Sequence, residues 1–412
     1  MSPDDLRELL LERLLQNSPG IKGNNLSDVI LGAKWKPWYS RAWDYTRMGW
    51  NIISGQYIWD GEGVFKSLSG SRKFSSIGHS KLSGENVSNK YPQPASTRPS
   101  KIDVMVATCD VDNHQTLVIA NDLPENLKYF KESPDYKYIY RDERRDVLAW
   151  HAAYATAALP CFQRLSFPHP TTIQDGEYAT RVVDGAATTG LMTQIVEHDM
   201  STVFVLNLNE SDEERPAALD VTKKPKYQTG GLFNYIFNSF MSMMYNAGTM
   251  DIRWAIENDG FTLDQYIEIK PSMQSSEENR DQLWWSKDPL TTLDFLELTE
   301  ETTKKAFWFG YDTVRQRIEY LHNENPELIN SIENKGVTII MSGGGARGAI
   351  LTGAVFAFIE EFGPGVIKAM GGISMGGIIS IMMAEILGTC DDFCGNHYDS
   401  HPKSPEGEDD RF

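Results

Sequence analysis

Two kinds of apolar pattern alternate along this chain, amphipathic stretches of helical period and short unbroken runs, and together they predict an α/β protein. Near the start, Leu6, Leu9, Leu10, Leu14 and Leu15 recur at helical spacing. Ser2-Pro3-Asp4-Asp5 before them supplies a cap, a first-turn proline and acids suited to the positive end of the helix dipole. A Trp-rich stretch follows, then a Ser/Asn/Gly/Pro-rich loop over 80–100. Residues 102–107 and 116–120 read as strands, and the alanine-rich segment 144–159 reads as a helix closed by Pro160. Arg181-Val182-Val183 is a short strand ending at Asp184-Gly185-Ala186. Residues 202–208 are almost wholly apolar, as expected of a strand inside a parallel sheet.

The pattern thins over 321–336, which is dense in Asn and Glu and reads as a linker. Strand 337–341, a glycine-rich turn, a helix through Ile350, Val355, Phe356 and Ile359, a second glycine-rich turn and an apolar helix over 378–387 come after it. The segment 391–412 is polar and acidic and is expected to be disordered.

Charge narrows the function. A formal net charge of −18 argues against a nucleic-acid partner and against wholesale adsorption to anionic membranes. With 41% hydrophobic and 11% aromatic residues the chain can bury a substantial core. Cys109, Cys161, Cys390 and Cys394 are too few and scattered for a disulfide framework; Cys390 and Cys394 with His397 and His401 make only a weak metal cluster. The acidic N-terminus does not read as a secretory signal, and no uncharged apolar run reaches a bilayer's span, so an intracellular protein, cytoplasmic or peripheral at lipid surfaces, is expected.

The chemistry concentrates in the two glycine turns. Gly372-Ile373-Ser374-Met375-Gly376 has the spacing of a nucleophile elbow, in which flanking glycines let a serine occupy a strained strand-to-helix turn. Ser342-Gly343-Gly344-Gly345-Ala346-Arg347-Gly348 can aim successive backbone N–H groups at an anion where its helix begins. A nucleophile beside donors for an oxyanion reads as acyl transfer. Gly343, Gly345 and Gly348 also fit a dinucleotide fingerprint, but the window that should carry a ribose-binding acid holds Lys368, Ala369 and Met370. For the base, Asp184 stands out among four Asp-Gly pairs: it ends a β-branched strand and precedes the small residues Gly185 to Gly190. His151, His169 and His198 are left as candidates for a conventional triad.

Together these pieces resemble the patatin-like phospholipase family. Its signature joins a Gly-Gly-Gly-x-Arg-Gly oxyanion loop, a Gly-x-Ser-x-Gly elbow and an Asp-Gly-Gly/Ala motif; Gly343 to Gly348, Gly372 to Gly376 and Asp184-Gly185-Ala186 match it here. Val106 to Asp110 and Ala155 to Pro160 are similar to a strand and a proline-ended helix of that family. The resemblance implies a three-layer sandwich around a mostly parallel sheet, a Ser374–Asp184 dyad, an oxyanion hole drawn from Gly343, Gly344, Gly345, Arg347 and Gly348, no cofactor or metal, and a lipid ester substrate cleaved through an acyl-enzyme.

The motif order differs from the family's, because the Asp motif comes first. Joining Leu387-Gly388 to Ser2-Pro3 would restore it, so the chain resembles a circular permutant. On that reading 1–320 and 337–390 form one domain, and 321–336 bridges the former termini. Met375 stands where the family often has alanine, and the Asn-x-Pro that often follows its Asp motif is absent. An inactive scaffold of the same fold is the alternative function.

Lipid access has two candidate elements. Trp35, Trp38, Tyr39, Trp43, Tyr45 and Trp50 interleave with Lys34, Lys36, Arg41 and Arg47; this suits peripheral contact with a lipid headgroup region, or equally a buried aromatic cluster. The uncharged stretch 229–250 reads as a core helix ahead of a lid. Oligomeric state is left open.

Overall fold

The computed structural model describes residues 4–8, 10–11, 46, 102–122, 125–139, 149–158, 182–196, 202–208, 247–248, 250–258, 260–269, 300–344 and 348–388. Their framework is an eight-stranded, mostly parallel sheet with helices. In chain order the strands are β1 (Asp103–Asp110), β2 (Gln115–Ala120), β3 (Tyr136–Ile139), β4 (Val182–Asp184), β5 (Val203–Asn207), β6 (Tyr266–Glu268), β7 (Val337–Met341) and β8 (Ile367–Ile373). The helices are α1 (Ala149–Thr156), α2 (Glu300–Glu324), α3 (Pro326–Lys335), α4 (Gly348–Phe362) and α5 (Met375–Gly388).

Across the sheet the order is β3-β2-β1-β8-β7-β5-β6. From β1 to β6 every neighbouring pair is parallel, whereas β2 returns antiparallel to β1 as its hairpin partner. The expected strands are all present, and β5 lies between two parallel neighbours, as its unbroken apolar run requires.

Strand alternation divides the core. Val104, Val106, Phe204, Leu206, Ile339 and Met341 face one cluster, shared with α2, α4, α5 and the N-terminal Leu6 and Leu10. Met105, Ala107, Val203, Val205 and Ile340 face the other, which is closed by Leu191, Met192 and Ile195 and by Ile252 and Ala255 of the helical segment 250–258. Both faces of the sheet are therefore covered.

Helix α4 is buried from Gly348 through Ile359, between the sheet and α2. Two glycines permit that crossing. A Cβ on Gly353 would lie 1.9 Å from the Phe307 carbonyl oxygen, and one on Gly310 would lie 1.9 Å from that of Ile350.

The segment 321–336 is helical rather than an irregular linker. Helix α2 extends to Glu324, and α3 begins at once with an Asn325 cap accepting the Leu328 N–H at 3.2 Å and Pro326 in its first turn. Gly336 ends α3 at φ +83°, and Leu328, Ile329 and Ile332 are buried. Asn325 and Gly336 cap α3, and Pro326 occupies its first turn. Strands β3 and β6 and helix α2 have no counterpart in the sequence reading. The Trp-rich segment with Lys34, Lys36, Trp35, Trp38 and Trp43, residues 229–246 of the uncharged stretch and the acidic tail lie outside the described residues. Among the described residues no helix is long and apolar enough to cross a membrane.

Candidate active site

Strand β1 is the meeting point of two distant parts of the chain. Along one edge it pairs with β8 over Asp103 to Ala107, the last register being Ala107 opposite Ile373. Strand β4 pairs with β1 from the opposite direction, with Asp184 opposite Thr108. The C-terminal ends of β8 and β4 thus meet at consecutive residues of β1, and Ser374 follows immediately after β8. This register brings Ser374 and Asp184 together.

Ser374 has φ +55°, a left-handed backbone that a non-glycine residue adopts at a cost of order 1–3 kcal/mol. It sits at the N-terminal end of α5, with its carbonyl accepting the Ile378 N–H at 3.1 Å. The surrounding glycines are there for contact. A Cβ on Gly372 would reach 2.4 Å from the Gly376 backbone, and one on Gly376 would reach 2.5 Å from the Ser342 carbonyl oxygen. A tight turn pressed against the first glycine loop explains the Gly-x-Ser-x-Gly spacing.

Asp184 is fully buried. Its Oδ1 accepts the Ala186 N–H at 3.0 Å, and its own N–H donates to the Ala158 carbonyl at 2.7 Å. The next residue must be small, because a Cβ on Gly185 would stand 2.4 Å from the Ala107 carbonyl oxygen. Burial pushes the Asp184 carboxyl up to about 7, against the lowering influence of Ser374 and of the Ala186 N–H. Ser374 is near enough to exert that pull, yet Oδ2 receives no hydrogen bond of ordinary length and angle. The pair is adjacent, and the hydrogen bond between them is not closed. Such contacts commonly tighten only when substrate binds.

Helix α1 fastens both halves. The Thr108 hydroxyl, on β1, lies 2.8 Å from the Ala155 carbonyl and 2.7 Å from the Val183 carbonyl. Thr156 accepts the Ser374 N–H at 2.9 Å and donates to the Ala107 carbonyl at 2.6 Å.

The first glycine loop leaves β7 beside β8, with Met341 in register with Gly372. The Ser342 N–H donates to the Leu206 carbonyl at 3.0 Å. Its hydroxyl accepts the Leu208 N–H at 2.9 Å and donates to the Gly343 carbonyl at 3.0 Å. A Cβ on Gly344 would strike Leu208 after β5, and one on Gly348 would strike Met375, so the helix-side end of the loop borders the Ser374 turn. Gly345 and Arg347, like His169 and His198, lie outside the described residues.

Sequence reasoning does not single out Asp251. This buried carboxylate accepts the Gly190 and Leu191 N–H groups at 2.8 Å and the Thr189 hydroxyl at 3.0 Å, fastening the turn that follows the Asp motif. Among the described residues no group of histidines, cysteines or carboxylates is arranged to hold a metal ion. Compared with protein-family models, with curated proteins and with solved structures, the chain gives no match, so its own geometry carries the functional argument.

Proposed function

We propose that this chain is a serine acyl hydrolase acting on carboxylic esters, with Ser374 as nucleophile and Asp184 as its base. One observation carries the reading. A serine in a left-handed strand-to-helix turn lies beside a buried carboxylate whose affinity for protons matches neutral pH. An aspartate of ordinary pKa is a weak base; one raised to about 7 is poised for proton transfer in both directions.

The steps follow from that pair. Asp184 takes the Ser374 hydroxyl proton as the serine oxygen bonds to the ester carbonyl carbon. On this reading the tetrahedral oxyanion is held by backbone N–H donors of the glycine-rich loop, the oxyanion hole that the resemblance implies; one such donor is typically worth about 10²–10³ in rate. Collapse breaks the ester C–O bond, and the proton on Asp184 passes to the departing alkoxide. Water then gives a proton to Asp184 and attacks the acyl-enzyme, and Ser374 recovers its proton as the acid leaves.

The resemblance to patatin-like phospholipases makes lipid esters the substrate class and a permuted patatin-like sandwich the architecture. Two features support the permuted order. The strands latest in sequence, β7 and β8, occupy the middle of the sheet. Leu6 and Leu10 also share a core cluster with Ile381 and Leu387 of α5.

The test is mass spectrometry after treatment with a fluorophosphonate lipid analogue. The expected product is an adduct on Ser374 that forms far more slowly in Asp184→Asn. An unlabelled protein points to the scaffold reading, and labelling of another serine overturns the site.

A further inference from the structure

The Ser374 turn has an unusual anchor. A left-handed serine needs its backbone held against relaxation, and the held group is its N–H, which donates to the Thr156 hydroxyl at 2.9 Å. Thr156 is fully buried, so no water competes for that oxygen. The hydroxyl spends its own proton on the Ala107 carbonyl at 2.6 Å. That carbonyl is the one against which Gly185 packs without a side chain, one residue after Asp184. A single hydroxyl therefore spans from the backbone of the nucleophile to the backbone that seats the base.

We propose that Thr156 is a positioning residue for Ser374, whose hydroxyl holds the serine's turn in register with Asp184 without itself touching substrate. The inference rests on the acyl-hydrolase reading for its kinetic consequence, but the hydrogen bond can be measured without it. The packing is as specific as the polarity. A Cβ on Gly377 would come within 2.8 Å of both Thr156 Cγ2 and Thr156 Oγ1, so the threonine packs directly against the backbone that follows Ser374. Valine at this position keeps that volume and loses both hydrogen bonds; serine keeps the hydroxyl and loses only the methyl.

The variants Thr156→Val and Thr156→Ser separate the two contributions. Two readouts are taken on each full-length protein: amide hydrogen exchange at Ser374, and the rate of phosphonylation by an alkyl fluorophosphonate. In that reaction the serine oxygen bonds to phosphorus and fluoride leaves. The expected result for Thr156→Val is faster exchange of the Ser374 amide and roughly 10²-fold slower labelling, as sub-ångström to 1 Å misplacement of a reacting group produces. With an ester substrate the loss falls on kcat and leaves KM near the wild-type value. Thr156→Ser restores protection and labelling.

Equal Ser374 exchange in wild type and Thr156→Val overturns the inference, as does a serine variant no better than the valine one. If wild type takes up no fluorophosphonate while the exchange pattern holds, the acyl-hydrolase reading fails and the anchoring role of Thr156 stands.

Discussion

The chain makes the same local construction twice, and the two serines differ in which of their polar groups the fold has bonded. Ser342 follows β7 and Ser374 follows β8, neighbouring parallel strands, and each introduces glycines and then a helix. The Ser342 hydroxyl is spent: it accepts from Leu208 and donates to Gly343 in full burial. Ser374 has the opposite arrangement. Its backbone carries the bracing, through Thr156 and Ile378, while its side chain lies beside Asp184, whose Oδ2 has no hydrogen-bond donor. On the acyl-hydrolase reading, what would separate a structural serine from a reactive one is which of its polar groups the fold has already satisfied.

The comparison is tested most severely by removing each hydroxyl. Ser374→Ala should lower ester turnover on the order of 10⁴- to 10⁶-fold, the range expected when a nucleophile that acts as part of a unit is lost. Fluorophosphonate uptake should disappear with it. Asp184→Asn should cost about 10²–10⁴-fold in kcat, the range of a general base, with the fold kept. A variant that turns over ester at the wild-type rate would remove Asp184 from the mechanism.

The pH profile gives a finer test. Asp184 acts as a base only when ionised, so kcat/KM should fall about tenfold per pH unit below roughly 7 and level off above it. Stability should show the same group with the opposite sign. The folded pKa, about 7, lies above the ordinary 3.8, so the fold pays nothing for Asp184 below 3.8 and progressively more as pH rises through 7. Asp184→Asn should therefore stabilise the protein at pH 8 by up to roughly 4 kcal/mol and leave it unchanged at pH 3.5. Chemical denaturation at the two pH values measures the difference. An asparagine variant no more stable than wild type at pH 8 contradicts the burial argument.

Ser342→Ala carries the smallest expected effect. It should lose about 1–3 kcal/mol, since the buried Leu208 N–H is left without its acceptor, while Ser374 still labels. Abolition of labelling at full stability would show that the two turns are not divided between bracing and chemistry.

Much of this division was legible in the sequence because it rests on short-range rules. Strand, glycine turn and apolar helix predict β7–α4 and β8–α5 from residues within one turn of each other, and Asp184 is marked by the strand before it and the small residues after it. Thr156 and Asp251 leave no comparable trace. Thr156 is one hydroxyl in an alanine-rich helix, and its partner is 218 residues away in sequence. Asp251 receives N–H groups from a turn about 60 residues earlier, at separations of 61 and 60. Residues 321–336 hide their helices for a different reason: a segment dense in Asn and Glu has little apolar signal, and the burial of Leu328, Ile329 and Ile332 accompanies α3.

The junction at Ala107 and Thr108 also has a consequence for how the Ser374–Asp184 pair is assembled. Neither half of the pair is assembled by its own neighbourhood: β4 and β8 must both dock on β1, across separations of roughly 75 and 265 residues. Bringing segments that distant together costs loop-closure entropy, which slows folding. A chain in which only one of these strands has docked lacks the assembled Ser374–Asp184 pair. On the acyl-hydrolase reading, uptake of a fluorophosphonate during refolding would serve as a clock for the closing of the sheet.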